Sequence, residues 1–142
     1  MSAAEKPASG LAMNLATIRE QFGFAEAVEA CASVGITWVA PWRDQVARTG
    51  LSEAAAILRQ NAVRVTGYCR GGMFPAADAA GRASAIEDNK RALAEAVALD
   101  ARCLVLVVGT LVPGSRDLPA TRQMVVDGIG ALLPHARAAG MP

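Results

Sequence analysis

The sequence predicts an α/β fold of parallel strands, organised as about four strand–helix units that form the N-terminal half of a (β/α)8 barrel. Three observations lead there. Short β-branched runs alternate with amphipathic stretches of helical spacing, a pattern that implies parallel strands joined by right-handed crossovers. The run Leu104-Val105-Leu106-Val107-Val108 is apolar at every position, as expected of a parallel strand buried on both faces. Finally, Ala138-Ala139-Gly140-Met141-Pro142 repeats the grammar of Ala32-Ser33-Val34-Gly35-Ile36, a helix stop followed by a strand start. The chain is therefore expected to be truncated just before strand 5. A closed barrel needs eight units in about 250 residues, and 142 residues hold about half of that. A complete, small, doubly wound sheet acting as a ligand-binding or interaction module is the alternative architecture.

Residues 1–10 carry Glu5, Lys6 and Pro7 without an apolar stretch and read as a loose tail rather than a signal peptide. Residues 11–142 make up the partial barrel domain. Its first unit has a strand near Leu11–Ala16 and a helix from about Phe24 to Val34. Phe24, Ala27, Val28, Cys31 and Ala32 share one face of that helix, and Gly35 suits the left-handed position that ends it. The second unit has a strand over Ile36–Ala40 and a helix over about Ser52–Gln60, striped by Ala54, Ile57 and Leu58. Asn61 stands there where Gly35 stood before. The third unit runs as a strand over Val63–Tyr68, a long Gly/Pro/Ala loop and a helix over about Arg82–Leu99. Ile86, Leu93 and Val97 form its apolar stripe, with Asn89 on the flank, where a buried amide would need partners. In the fourth unit a helix begins after Asp117, with Pro119 in the first turn. Its stripe is Val125, Ile129, Leu132, Leu133 and Ala136.

Composition narrows the function classes. The chain is 53% apolar and 19% charged, with a net charge of +1. A nucleic-acid binder would show a basic excess or stripe, so none is expected as a partner. The longest strongly apolar run is far short of the roughly 20 residues that cross a bilayer, so no membrane association is expected either. Cys31, Cys69 and Cys103 are odd in number and lack metal-type spacing, which points to a reducing cytoplasm. No G-x-G-x-x-G or G-x-x-x-x-G-K-[ST] motif supports dinucleotide or P-loop chemistry. No His/Asp/Glu cluster falls at the strand ends, so no metal site can be assembled from these residues.

In parallel α/β folds the working residues sit at the C-terminal ends of strands, here Thr17–Gln21, Pro41–Gln45, Cys69–Pro75 and Gly109–Gly114. Gly71 and Gly72 permit a sharp turn and close backbone approach to a ligand. Arg70 offers a planar fork of donors for a carboxylate, phosphate or hydroxyl; a tight turn with a solvated arginine is the plainer reading. Trp42 beside Arg43 would suit a sugar ring bearing polar groups, while packing for Trp42 and an Arg43–Asp44 pair is the plain alternative. Cys69 has no histidine to activate it and reads as a pocket-lining residue. His135, the sole histidine, lies far along the fourth helix and reads as structural or exposed. Cys31 and Cys103 read as small buried hydrophobes.

Several segments resemble one family. Asn14-Leu15-Ala16-Thr17, Ala40-Pro41-Trp42-Arg43-Asp44-Gln45-Val46, Cys69-Arg70-Gly71-Gly72-Met73-Phe74-Pro75, Asp88-Asn89-Lys90-Arg91 and Leu104–Gly109 are similar to bacterial sugar phosphate isomerase/epimerase proteins of the xylose isomerase-like TIM barrel superfamily. The resemblance implies a barrel that isomerises or epimerises a sugar or polyol, usually with a divalent metal (Mn, Mg, Co or Zn). It also implies that the metal ligands and acid–base glutamates come mainly from strands five to eight, beyond Pro142. What this chain would supply is one wall of the substrate pocket: Trp42, Arg43, Cys69, Arg70, Gly71 and Gly109. Such a fragment is expected to be inactive alone. Its unpaired strand edges predict a marginal fold, self-association into a pseudo-barrel, or aggregation. An endonuclease relative of the same superfamily fits less well with the balanced charge and the absence of histidine clusters.

Overall fold

A computed structural model describes residues 10–141. The tail read over residues 1–10 therefore lies, apart from Gly10, outside the described residues, as does Pro142.

Five short strands alternate with helices: β1 (Met13–Asn14), α1 (Phe24–Ser33), β2 (Trp38–Ala40), α2 (Arg43–Thr49), α3 (Leu51–Gln60), β3 (Arg64–Val65), β4 (Tyr68–Gly72), α4 (Ala79–Ala98), β5 (Leu104–Val107) and α5 (Leu118–Ala138). All pairings are parallel: β1 with β2, β2 with β3, and β4 with β5. The two sheets are joined where Trp42 bridges Cys69, with Cys69 N–H donating to the Pro41 carbonyl. The spatial order of the strands is thus their order in the chain. A doubly wound sheet reverses direction at a switch point, and this one does not, so the alternative architecture is overturned. Sequential parallel strands, with helices packed against one side of the sheet, are four βα units of a barrel, its third strand broken into β3 and β4.

The hydrophobic core lies between sheet and helices. Val39 and Val65, register partners across β2 and β3, are buried with Val28 and Cys31 of α1 and with Ala54, Ile57 and Leu58 of α3. The helix faces read from α1 and α3 are those that are buried. Three readings change. Leu15–Ile18 is a 3-10 turn rather than strand, because Asn14 caps it by accepting from Ala16 N–H. The left-handed residue after α3 is Ala62 (φ 53°), while Asn61 caps by donating its amide to the Ile57 carbonyl. Cys69–Gly72, expected as loop, continues the strand as β4.

The fourth unit departs from expectation on one face. Leu104 and Leu106 pack toward the helices, but Val105 and Val107 are 38% and 41% exposed. They project from the opposite side of the sheet, which in a closed barrel is filled by layers of side chains from all eight strands. On α5 the buried positions are Thr121, Gly128 and Leu132, while Leu133 is exposed. Gly128 admits the ring of Phe74, which a Cβ at that position would overlap.

Candidate active-site cleft

The C-terminal ends of β2 and β4 open on a cavity of about 370 Å3 lined by Arg19, Trp42, Arg43, Asp44, Cys69, Arg70, Gly71, Gly72, Met73 and Asp88. Five of the six residues expected to bind substrate, Trp42, Arg43, Cys69, Arg70 and Gly71, therefore meet there. The sixth, Gly109, does not border the cleft. It follows β5 in a left-handed conformation (φ 112°) and backs the turn at Met73–Pro75, where a Cβ would stand 2.8 Å from Pro75 Cδ.

Trp42 is held from three sides. Its indole N–H donates to Asn14 Oδ1 at 3.0 Å, the Arg19 guanidinium stacks 5.3 Å from its ring centroid, and its backbone N–H is capped by Gln45 Oε1. Gln45 is buried and its side-chain amide donates to the Leu15 carbonyl, which ties the start of α2 to the turn after β1. Helix α2 was not legible in the sequence, since its seven residues are too few to show an apolar period.

Arg43 borders the cleft but its guanidinium is engaged behind β4. Nε and NH2 donate to Glu95, and NH1 and NH2 donate to Asp88. The Tyr68 hydroxyl donates to the same Glu95 at 3.0 Å. The Glu95 hydrogen bond, reinforced by Asp88 and only partly opposed by burial, holds Arg43 protonated. In turn the Arg43 hydrogen bond lowers the Asp88 carboxyl below its ordinary value, and burial, with Glu95 beside it, raises the Tyr68 phenol. The Arg43–Asp44 pair considered from sequence does not form; Asp44 takes Arg19 and Arg48 instead. One signal could have found the true partners: Asp88 and Glu95 are seven residues apart, two helical turns, and so share a face of α4.

The Gly-Gly pair has a specific cause. Asn89, with no exposed surface, lies at the centre of the α4 face that packs on β4, not on its flank. It accepts from Gly72 N–H at 2.5 Å and donates to the Gly72 and Ala85 carbonyls at 2.8 Å each. A Cβ on Gly71 would come within 2.6 Å of Asn89 Oδ1, and one on Gly72 (φ 103°) would overlap the Val107 backbone. The buried stripe of α4 is accordingly Asn89, Ala92, Leu93 and Ala96, and Val97 is 48% exposed. Small side chains let the helix approach the strand closely enough for the amide to reach it.

Beyond this clamp the chain presents Arg70, exposed and without an ion-pair partner among the described residues, and Met73, 47% exposed, at the mouth. Cys69 beside them is held as a thiol: burial, with Cys103 nearby, raises it more than Arg70 lowers it. Cys31 is a buried core thiol, Cys103 is half-buried with its Sγ against the Thr66 carbonyl, and His135 is exposed. Among the described residues no group of three or more His, Cys, Asp or Glu could hold a metal ion. The two carboxylates at the cleft, Asp44 and Asp88, are both engaged by arginines, so this donor set does not fit the divalent metal that the resemblance implied. Nor is any helix of the described residues long and apolar enough to cross a membrane.

Comparison with known proteins agrees with this geometry. Protein SMc04130 of Sinorhizobium meliloti 1021, a solved structure, is 63% identical with a TM-score of 0.92, over 94% of this chain and 49% of that one. The chain thus spans about half the length of that relative. D-psicose 3-epimerase of Clostridium cellulolyticum H10, solved with D-tagatose, is 14% identical (TM-score 0.75, 92% of this chain, 49% of that one). An AP endonuclease, family 2, of Brucella melitensis is 22% identical (TM-score 0.75, 92% and 52%). At those identities the last two show the fold alone. No curated protein matches the chain. The description "Xylose isomerase-like TIM barrel" fits residues 28–142, and on that match the chain belongs to the xylose isomerase-like TIM barrel family.

Proposed function

We propose that the chain forms one wall of the substrate pocket of an isomerase or epimerase acting on a sugar, a sugar phosphate or a related polyol. The observation that carries the reading is the pairing, in one cleft, of a fixed indole with an uncommitted guanidinium. Trp42 is immobilised by Asn14 and Arg19 and offers an apolar plate for the C–H face of a sugar. Arg70 supplies a fork for a phosphate or a run of hydroxyls. Arg19 at the same rim is paired with Asp44, which leaves Arg70 as the cleft guanidinium free to meet a phosphate or hydroxyls.

The residues described bind and orient; they do not transfer protons. Cys69 stays a thiol, and the cleft carboxylates are paired. Acid–base groups and any divalent metal of the reaction would therefore come from barrel units other than these four. A cytoplasmic setting belongs to the same proposal, with all three cysteines free.

The test is binding by the natural gene product, read by Trp42 fluorescence in a Trp38→Phe background. The titrants are ketohexoses, their phosphates, inorganic phosphate and an abasic-site duplex. Saturable quenching by a ketohexose phosphate, weakened at least about tenfold by Arg70→Ala, is expected. Binding of the abasic duplex alone, or of no polyol at all, would refute the proposal.

A further inference from the structure

The two walls of the cleft stand on different sheets: Trp42 follows β2, and Arg70 lies in β4. At the cleft the backbone join between those sheets is an isolated bridge, Trp42 with Cys69. It is made by the Cys69 N–H, which donates to the Pro41 carbonyl at 3.0 Å. Lower down, β2 pairs with β3 in register, and Thr66 N–H donates to the Val39 carbonyl. A single bridge opens more readily than a ladder, because fewer bonds break together.

Behind the bridge, on the helix side of the sheet, side chains span the same gap. Arg43, next to Trp42, donates from Nε to Glu95 Oε2 at 2.8 Å and from a terminal nitrogen to Oε1 at 3.0 Å. The Tyr68 hydroxyl, next to Cys69, donates to the same Oε2 at 3.0 Å. Arg43 and Tyr68 thus meet on one carboxylate, each one residue away from a member of the bridge. The rest of the Arg43 fork takes Asp88, whose neighbour Asn89 holds Gly72 at the far end of β4. A guanidinium is planar with its donors in fixed directions, so gripping two carboxylates sets angle as well as distance. Every nitrogen of that group already donates to a carboxylate, which commits it to the protein.

We infer that Arg43 is a positioning residue: by gripping Glu95 and Asp88 it holds the Trp42 wall of the cleft at a set distance from the Arg70 wall, without itself binding the ligand. The effect on binding rests on the sugar-pocket reading; the hold on the bridge stands on the network alone.

The hold is read without ligand, in the natural gene product, by amide hydrogen exchange of Arg43→Lys followed by NMR. Lysine keeps the charge but has no fork to grip two carboxylates. Exchange at Cys69 N–H should speed at least about tenfold, while Thr66 N–H changes less than about twofold. A general loss of stability would speed both together. Tyr68→Phe keeps the ring and removes the hydroxyl; it should move Cys69 in the same direction, and it serves if the lysine variant does not fold. Binding is read by Trp42 fluorescence in the Trp38→Phe background. Arg43→Lys should weaken ketohexose phosphate binding at least about fivefold with Arg70 present and less than about twofold in Arg70→Ala, because a spacing between two walls loses its value once one is gone. Equal acceleration at Cys69 and Thr66, or none at Cys69, overturns the inference, as does an Arg43→Lys effect of the same size with and without Arg70. A wild type that binds no polyol sinks the sugar-pocket reading instead, and the exchange result then decides the inference by itself.

Discussion

Replacing Asn89 tests whether one buried amide holds the helix against the strand that carries the cleft. In Asn89→Ala three hydrogen bonds vanish: the one from Gly72 N–H and those to the Gly72 and Ala85 carbonyls. The Ala85 carbonyl lies within α4, so its loss is small. The Gly72 N–H is buried, and a buried donor without its acceptor costs about 1–3 kcal/mol. With the weakened Gly72 carbonyl and the small void left by the amide, the total comes to about 2–4 kcal/mol. For a chain of this size that is a fall in Tm of roughly 10 °C. Asn89→Asp sharpens the test, because it keeps the shape and the acceptor for Gly72 N–H but turns the donor toward two carbonyls into a second acceptor. It should destabilise at least as much as alanine at pH 7. It should recover in part as pH falls toward about 4, since burial beside two carbonyls raises the introduced carboxyl and lets it regain a proton to donate. Thermal and urea melts followed by circular dichroism read both variants. A fall in Tm below about 3 °C for both, or an aspartate variant as stable as the wild type, would refute the clamp.

Three further outcomes follow from the packing. Gly128→Ala drives a Cβ into the Phe74 ring, which is 2% exposed, and overpacking there should cost about 1–3 kcal/mol in urea melts. Asp88 is held below its ordinary value by Arg43, so its contribution is present above the unfolded value of about 3.9 and lost as pH falls through the lower folded value. Because Asp88 is 45% exposed, the pair should be worth under about 1 kcal/mol, and Asp88→Asn should flatten the acid limb of the stability curve by that amount. Tyr68 behaves with the opposite sense: its raised phenol leaves stability intact below the unfolded value of about 10 and erodes it above. Tyr68→Phe should remove that alkaline loss, measured by urea melts between about pH 9 and 11.

Elements whose sequence carries a long period were readable. Helices α1 and α3 bury faces that three- and four-residue spacing assigned, α5 buries only Leu132 of its expected stripe, and the caps Gly35 and Asp117 stand where their chemistry placed them. Failures occurred where the deciding contact is distant in sequence. Val97 looked like core because α4 was read as striped by its largest apolar residues, yet Asn89, Ala92 and Ala96 face the strand beside the expected Leu93, which lets the amide reach Gly72. Helix α2 is fixed by Gln45 reaching Leu15, thirty residues away. The cleft was half legible: strand-end logic found Trp42, Cys69 and Arg70, but the partners of Arg43 required knowing which face of α4 meets β4. The apolar run at β5 marks a strand with two apolar sides, Leu104 and Leu106 toward the helices and Val105 and Val107 toward the barrel axis, but it does not say which side is which.

The two sides of this sheet carry separate information. Positions facing the helices are Val39, Val65, Tyr68, Leu104 and Leu106, and any similarly shaped apolar set would specify the same four units. Positions facing the axis are graded along the strands instead: Trp38 between the guanidinium groups of Arg64 and Arg102 at the base, valines in the middle, an indole and a free guanidinium at the mouth. The link between the two sides is mechanical. The residues that shape the mouth, Cys69 to Met73, are positioned by Asn89 from the helix side of the sheet. Loss of Asn89 should therefore disturb the cleft although its side chain does not border it.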